Sequence, residues 1–72
     1  MNRYAIIVFW SENDGAWVAD VPDLKSCSAI GDTREEAVAE VGLAIEAWIA
    51  AARDAGLTVP EPRYQPRHEA AE

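Results

Sequence analysis

Between Gly31 and Gly56 runs GDTREEAVAEVGLAIEAWIAAARDAG, the one long segment of this chain with an unbroken helical period. Both of its ends are written into it. Thr33 is an N-cap residue, and Glu36, three places on, can return a bond to the Thr33 amide, so Thr33-Arg34-Glu35-Glu36 reads as a capping box. Asp32, Glu35 and Glu36 set negative charge at the positive end of the helix dipole, and Arg53 sits in the last turn. Gly56 then supplies the left-handed residue that closes many helices. A helix of about 22 residues spans roughly 33 Å, longer than any other element the chain can form.

Projected at about 100° per residue, Val38, Val41, Ile45, Trp48, Ile49 and Ala52 fall on one apolar stripe, with Ala37 and Ala44 along its edge. That stripe packs on something. On the opposite face Ala39, Leu43, Ala47 and Ala50 interrupt Glu36, Glu40 and Glu46, placing small and apolar side chains where solvent usually selects long polar ones. Alanine favours helix by itself, and the same pattern also suits a second helix, so these four residues are candidates for an oligomer interface.

Upstream, Tyr4-Ala5-Ile6-Ile7-Val8-Phe9-Trp10 is β-branched and aromatic on both alternating faces and reads as a strand buried on both sides. Asp14-Gly15 is a type I′ turn signal, and Ala16 to Val21 returns as a second strand, making a hairpin. Pro22 and Asp23 make a turn, and Leu24 to Ile30 gives a shorter, more polar third strand with Lys25 and Ser26 as an edge or loop. Beyond the helix, Leu57-Thr58-Val59 has the composition of a fourth short strand, and Pro60, Pro62 and Pro66 enforce extended backbone. The order is β-β-β-α with a short terminal β, an α+β fold in which one long helix covers one face of a small antiparallel sheet. No second helix remains for the other face, so association is expected to cover it. Residues 1–62 form the domain, and 63–72 are expected to be a disordered, Pro-containing tail.

At 72 residues the chain makes one domain with a marginal core, burying about 60% of its unfolded surface. Half of the residues are hydrophobic, three of them tryptophan, which argues against disorder as the overall state. The formal charge of −7 repels phosphate backbones, so direct nucleic-acid binding is not expected; a basic protein is the natural complement. The seven-residue apolar run after Arg3 is too short for a membrane span and lacks a signal-cleavage pattern. With a single cysteine, no internal disulfide can form, and the reading is a cytoplasmic protein.

Catalytic chemistry finds little purchase. His68 stands in the polar tail beside Arg67 and Glu69, without the desolvated site a general base needs. Cys27, between Ser26 and Ser28, could be an exposed thiol, yet no histidine stands near in sequence to activate it. Asp20, Asp23 and Asp32 flank turns and could be imagined as magnesium ligands, but turn and cap duty explains them and the first strand carries no acid. No enzyme, metal or cofactor is expected. Trp48 belongs to the helix stripe and hence to the core, while Trp10 and Trp17 flank the hairpin turn, where one of them can protrude towards a partner.

The segments Trp17-Val18-Ala19-Asp20-Val21-Pro22-Asp23-Leu24 and Ser28-Ala29-Ile30-Gly31-Asp32-Thr33-Arg34-Glu35-Glu36-Ala37 resemble the N-terminal domain of HicB-type antitoxins. There, a hairpin ends in V-P-D/E-L and G-D-T/S-x-x-E-A opens the long helix. The likeness runs to Val59-Pro60-Glu61-Pro62. It implies a truncated RNase H-like fold without nuclease activity that binds and masks a small basic HicA-type mRNA interferase toxin, and it implies self-association to a dimer or tetramer. Many such proteins continue into a DNA-binding domain; too few residues follow Pro62 here for one, so the single-domain form is expected, without direct operator binding. Toxin contact is assigned to the acids Glu12, Asp14, Asp20 and Asp23, with Trp17 as anchor. The alternative is an orphan homo-oligomeric interaction module of the same fold.

Overall fold

The computed structural model describes residues 2–66. Strands β1 (Ile7–Ser11), β2 (Ala16–Asp20) and β3 (Ser28–Gly31) precede helix α1 (Arg34–Asp54). The strands form one antiparallel sheet in the order β1-β2-β3, with β2 central. The architecture is the expected α+β one, a three-stranded sheet under one long helix. No strand follows α1 among the described residues; Leu57, Thr58 and Val59 pair with nothing in the sheet. The fourth strand of the expected fold is thus not formed.

Both helix ends follow local chemistry. Thr33 is extended (φ −131°, ψ 164°), and its Oγ1 accepts from the Glu36 amide at 3.0 Å. The return arm differs from the expectation. Glu36 Oε1 accepts from the amide of Asp32 at 2.9 Å, one residue further back than Thr33, so the carboxylate ties down the strand-to-helix turn. At the other end Gly56 has φ +73° and donates to Arg53 O at 3.1 Å, while Leu57 donates to Ala52 O at 2.8 Å. These two bonds are the Schellman pattern and satisfy carbonyls that the helix itself leaves open.

The hairpin turn is longer than the Asp14-Gly15 signal implied. Four residues, Glu12 to Gly15, join β1 to β2, and only Gly15 has positive φ (+60°). A type I′ turn needs two such residues. Ser11 holds the loop instead: its carbonyl accepts from the Gly15 amide at 2.8 Å and its hydroxyl pairs with the Asp14 carboxylate at 2.9 Å.

After β2, the Val21-Pro22-Asp23-Leu24 stretch forms a closed loop rather than the start of a strand. Val21 N donates to Cys27 O, Leu24 N to Val21 O and Cys27 N to Leu24 O, all between 3.0 and 3.2 Å. The geometry turns Val21, Leu24 and Cys27 inward, where all three are buried. Ser26 takes the positive φ (+60°) that lets the chain reverse. The third strand is accordingly only four residues long.

The core lies between the sheet and α1 and consists of Ala19, Val21, Leu24, Cys27, Ala37, Val41 and Ile45. Val8, Ala19 and Ala29 stand in register across the three strands on the side facing α1. Their small volume lets the helix approach closely, and the approach is closest where β3 meets α1. A Cβ built on Gly31 would stand 2.6 Å from the Ala37 nitrogen and 2.9 Å from the Glu36 carbonyl carbon, so this position admits only glycine without a backbone shift. The helix stripe is rotated from its expected setting. Ala37 is fully buried rather than marginal, and Val38, expected inside, is 41% exposed.

The largest correction concerns β1. Expected as a central strand buried on both faces, it is an edge strand, starts three residues later than Tyr4, and leaves Ile7, Phe9 and Trp10 exposed. One helix can cover only one face of a sheet, and α1 packs chiefly over β3 and β2.

Candidate interaction surface

The expected partner-binding residues do not form one site. Glu12 and Asp14 lie exposed in the hairpin loop, at one end of the sheet. Asp20 closes β2 at the opposite end, level with Ile7 and Ser28. Asp23 follows in the Val21–Cys27 loop. Trp17, the expected anchor, is half-buried: its ring meets Trp10 edge-on at 5.5 Å between centroids and 72°, and the Arg34 guanidinium lies 4.1 Å from its centroid. This arrangement joins cation–π attraction to an aromatic pair and holds Arg34 against the sheet. Trp10 is the more exposed of the two, and its Nε1 donates to Glu12 Oε2 at 3.1 Å. Protrusion therefore falls to Trp10 rather than Trp17.

Asp23 has a partner already. Its Oδ2 accepts from the amides of Arg63 and Tyr64 at 2.8 and 2.9 Å, a bond set spanning some forty residues of chain. The Tyr4 hydroxyl donates to the carbonyl of Pro60, a few residues before Arg63. Together they fasten the segment after α1 across the end of the sheet where β1 begins and β2 ends. No local pattern in the sequence marks Asp23 for this role, because both donors are backbone amides, which every residue but proline carries.

Trp48 packs against the core as expected, and its Nε1 donates to the Lys25 carbonyl at 2.9 Å. That bond fastens the Val21–Cys27 loop to the last third of α1. Cys27 is 3% exposed, which corrects the reading of an exposed thiol. Burial, and after it the Asp20 carboxylate, push its pKa up from the ordinary 9.0, so the thiol stays protonated and unreactive. Among the described residues no group of three or more His, Cys, Asp or Glu is placed to hold a metal ion, and no helix is long and apolar enough to cross a membrane. His68 lies outside the described residues, as does most of the tail expected to be disordered.

Two apolar surfaces remain open. On the sheet side away from α1, Phe9, Val18 and Ile30 stand in register, with Phe9 46% and Ile30 55% exposed. On α1, Ala39, Leu43, Ala47 and Ala50 are all exposed, Leu43 at 61%. Between α1 and the bare edge of β1 runs a third feature, an open groove of about 510 Å³ lined by Val8, Arg34, Glu35, Val38 and Ala39. Sequence reasoning missed it. Val38, one of its lining residues, had been placed on the buried helix stripe.

An acidic chain, a bare apolar sheet face and a loop whose valine and leucine plug the core suit a binding module. A family model described as HicB_like antitoxin of bacterial toxin-antitoxin system matches residues 4–71. The chain belongs to that family. No curated protein and no solved structure matches it. The family places this HicB-like antitoxin in a toxin–antitoxin system and assigns it a toxin partner rather than a reaction. The two motifs that carried the resemblance have clear structural work here. Val-Pro-Asp-Leu builds the Val21–Cys27 plug, and Gly-Asp-Thr-x-x-Glu builds the tight turn and cap that start α1.

Proposed function

We propose that this protein neutralises a small, basic, RNA-cleaving toxin of the HicA type by binding it and covering its RNA-contacting surface, without catalysis of its own. The family match over residues 4–71 carries this reading. The formal charge of −7 supports it, since an acidic chain steers a basic partner into encounter and competes with RNA for the same surface. Cytoplasmic action follows from a toxin whose substrate is mRNA.

The toxin contact is assigned to the acids at the two ends of the sheet, Glu12 and Asp14 at the hairpin and Asp20 and Asp23 at the far end, with the Trp10–Trp17 pair beside the first group. These groups are tested separately, because Asp23 also fastens the C-terminal segment. Binding of a small basic protein of the HicA type is measured by calorimetry from low to high salt. Glu12→Lys with Asp14→Lys, or Asp20→Lys alone, is expected to weaken binding and flatten its salt dependence. If both leave affinity and salt dependence unchanged, the toxin docks elsewhere. If no basic partner binds at all, the masking reading fails.

A second reading rests on the exposed row Ala39, Leu43, Ala47 and Ala50: an orphan homo-oligomeric module whose helices pack on one another. Leu43→Glu is its test. Dissociation of an oligomer by this change, with no toxin recovered, would favour it.

A further inference from the structure

We infer that the groove between α1 and β1 seats one helix of the basic toxin, a helix apolar along the side it buries and flanked by lysine or arginine, an inference that rests on the function proposed above. The packing of the two layers leaves a place for it. α1 lies chiefly over β3 and β2, so the side of β1 that faces the helix layer has no cover of its own. Val8 stands on that side, and so does Trp10, two residues on and exposed. Strands lie about 4.8 Å apart and neighbouring helices about 8–10 Å apart. A helix laid beside α1 therefore comes to rest over β1, with the groove of about 510 Å³ as its bed.

The helix wall of the groove is shaped for such a neighbour. Val38 and Ala39 line it, and Gly42 follows one turn on along the same flank. Glycine in mid-helix is unfavourable relative to alanine, and nothing inside the chain requires it, since a Cβ there would meet nothing within 4 Å. Bare backbone at that point lets a second helix come close. The rim is acidic. Glu35 and Glu46, both exposed, lie three turns apart on this flank, about 16 Å, and Glu12 stands at the hairpin end, where it accepts from Trp10 Nε1. Arg34, the cation among the lining residues, is held on the Trp17 ring. A helix with Lys or Arg on its flanks is complementary to this rim, whereas RNA and a second copy of so acidic a chain are repelled by it.

The test compares binding of a small basic protein of the HicA type to the full chain and its variants by calorimetry. Gly42→Leu adds a side chain where the free protein has room, so it is expected to raise the melting temperature yet weaken binding about tenfold or more by filling the seat. Val38→Lys is expected to weaken binding too, and Ile30→Thr, on the other face of the sheet, is not. Glu35→Lys with Glu46→Lys should flatten the salt dependence. Contact is read directly with Val38→Cys, because Cys27 is buried and the new thiol is the accessible one. Toxin should slow its alkylation, and a photo-crosslinker attached to it should capture a helical segment of the toxin. Full affinity in Gly42→Leu, or capture of a strand or loop, overturns the inference while leaving the toxin reading in place. Unaltered salt dependence in the double variant overturns the basic flanks. Failure of the unmodified chain to bind any such protein overturns both the inference and the toxin reading. Dissociation of a homo-oligomer by Gly42→Leu in the absence of toxin overturns the inference and gives the seat to a second copy.

Discussion

The two faces of the sheet are made by the same residues' neighbours and differ in fate. Val8, Ala19 and Ala29 face α1, with Ala19 fully buried and the other two partly so, while Phe9, Val18 and Ile30, one residue along in each strand, face outward with the larger side chains. A reading of hydrophobicity alone assigns the bulkier row to the core. Approach distance decides otherwise: the first turn of α1 packs directly against Gly31, so the helix lies against small residues and bulk is displaced to the face that no helix covers. Across the middle of this sheet the larger apolar side chains lie on the open face and the smaller ones under α1.

The sharpest way to break that contrast is to truncate one residue on each side. Ile45→Ala removes a fully buried side chain from the core and is expected to cost about 3 kcal/mol in urea unfolding, enough to threaten so small a domain. Phe9→Thr on the outer row should cost under about 1 kcal/mol in the monomer, and a comparable loss at both positions would show that the outer face is covered in solution.

Two glycines sharpen the same comparison. Gly31→Ala drives a methyl into the Glu36–Ala37 backbone and should destabilise by about 2 kcal/mol. Gly42→Ala meets nothing within 4 Å and should stabilise by about 0.5–1 kcal/mol through helix propensity. The ordering of the two melting temperatures checks both. Next, Thr33→Ala removes the acceptor for the Glu36 amide and is expected to cost about 1 kcal/mol, with the loss of helical protection in hydrogen exchange confined to the first turn.

Smaller effects report on the ends of the sheet. Cys27 should resist iodoacetamide in the native protein at pH 8 and react once urea unfolds it. Because its pKa is raised in the fold, the stability it contributes is complete below the ordinary 9.0 and declines as pH rises through the elevated value. Asp23→Ala should leave the melting temperature within a few degrees but speed amide exchange at Arg63 and Tyr64, the two donors it releases. If exchange there is unaltered, Tyr4 and Pro60 hold the segment by themselves.

How much of this was legible beforehand depended on the range of the interaction concerned. The N-cap at Thr33, the left-handed Gly56 and the hairpin between the first two strands were each specified by residues within about four positions of one another, and each stands where the sequence put it. Elements defined by pairing did not. The Leu57–Val59 strand had the right composition and found no partner, and β1 had the composition of a buried strand and became an edge. The candidate surface fared alike: the acids were identifiable by charge, whereas their separation to opposite ends of the sheet, the fastening of Asp23 by two distant amides and the groove beside Val38 were not.

The sequence by itself determined where the helix begins and ends, that one helix must serve a small sheet, and that one apolar face would be left over. Capping, glycine conformation and helical period are interactions of a chain with its near neighbours, and the linear order contains them in full. The tertiary structure alone decided which face that would be, which strand would lie at the edge, and that Ala37 rather than Val38 would turn inward. Those outcomes depend on how closely α1 can approach across Gly31, a steric fact between segments that no local pattern encodes.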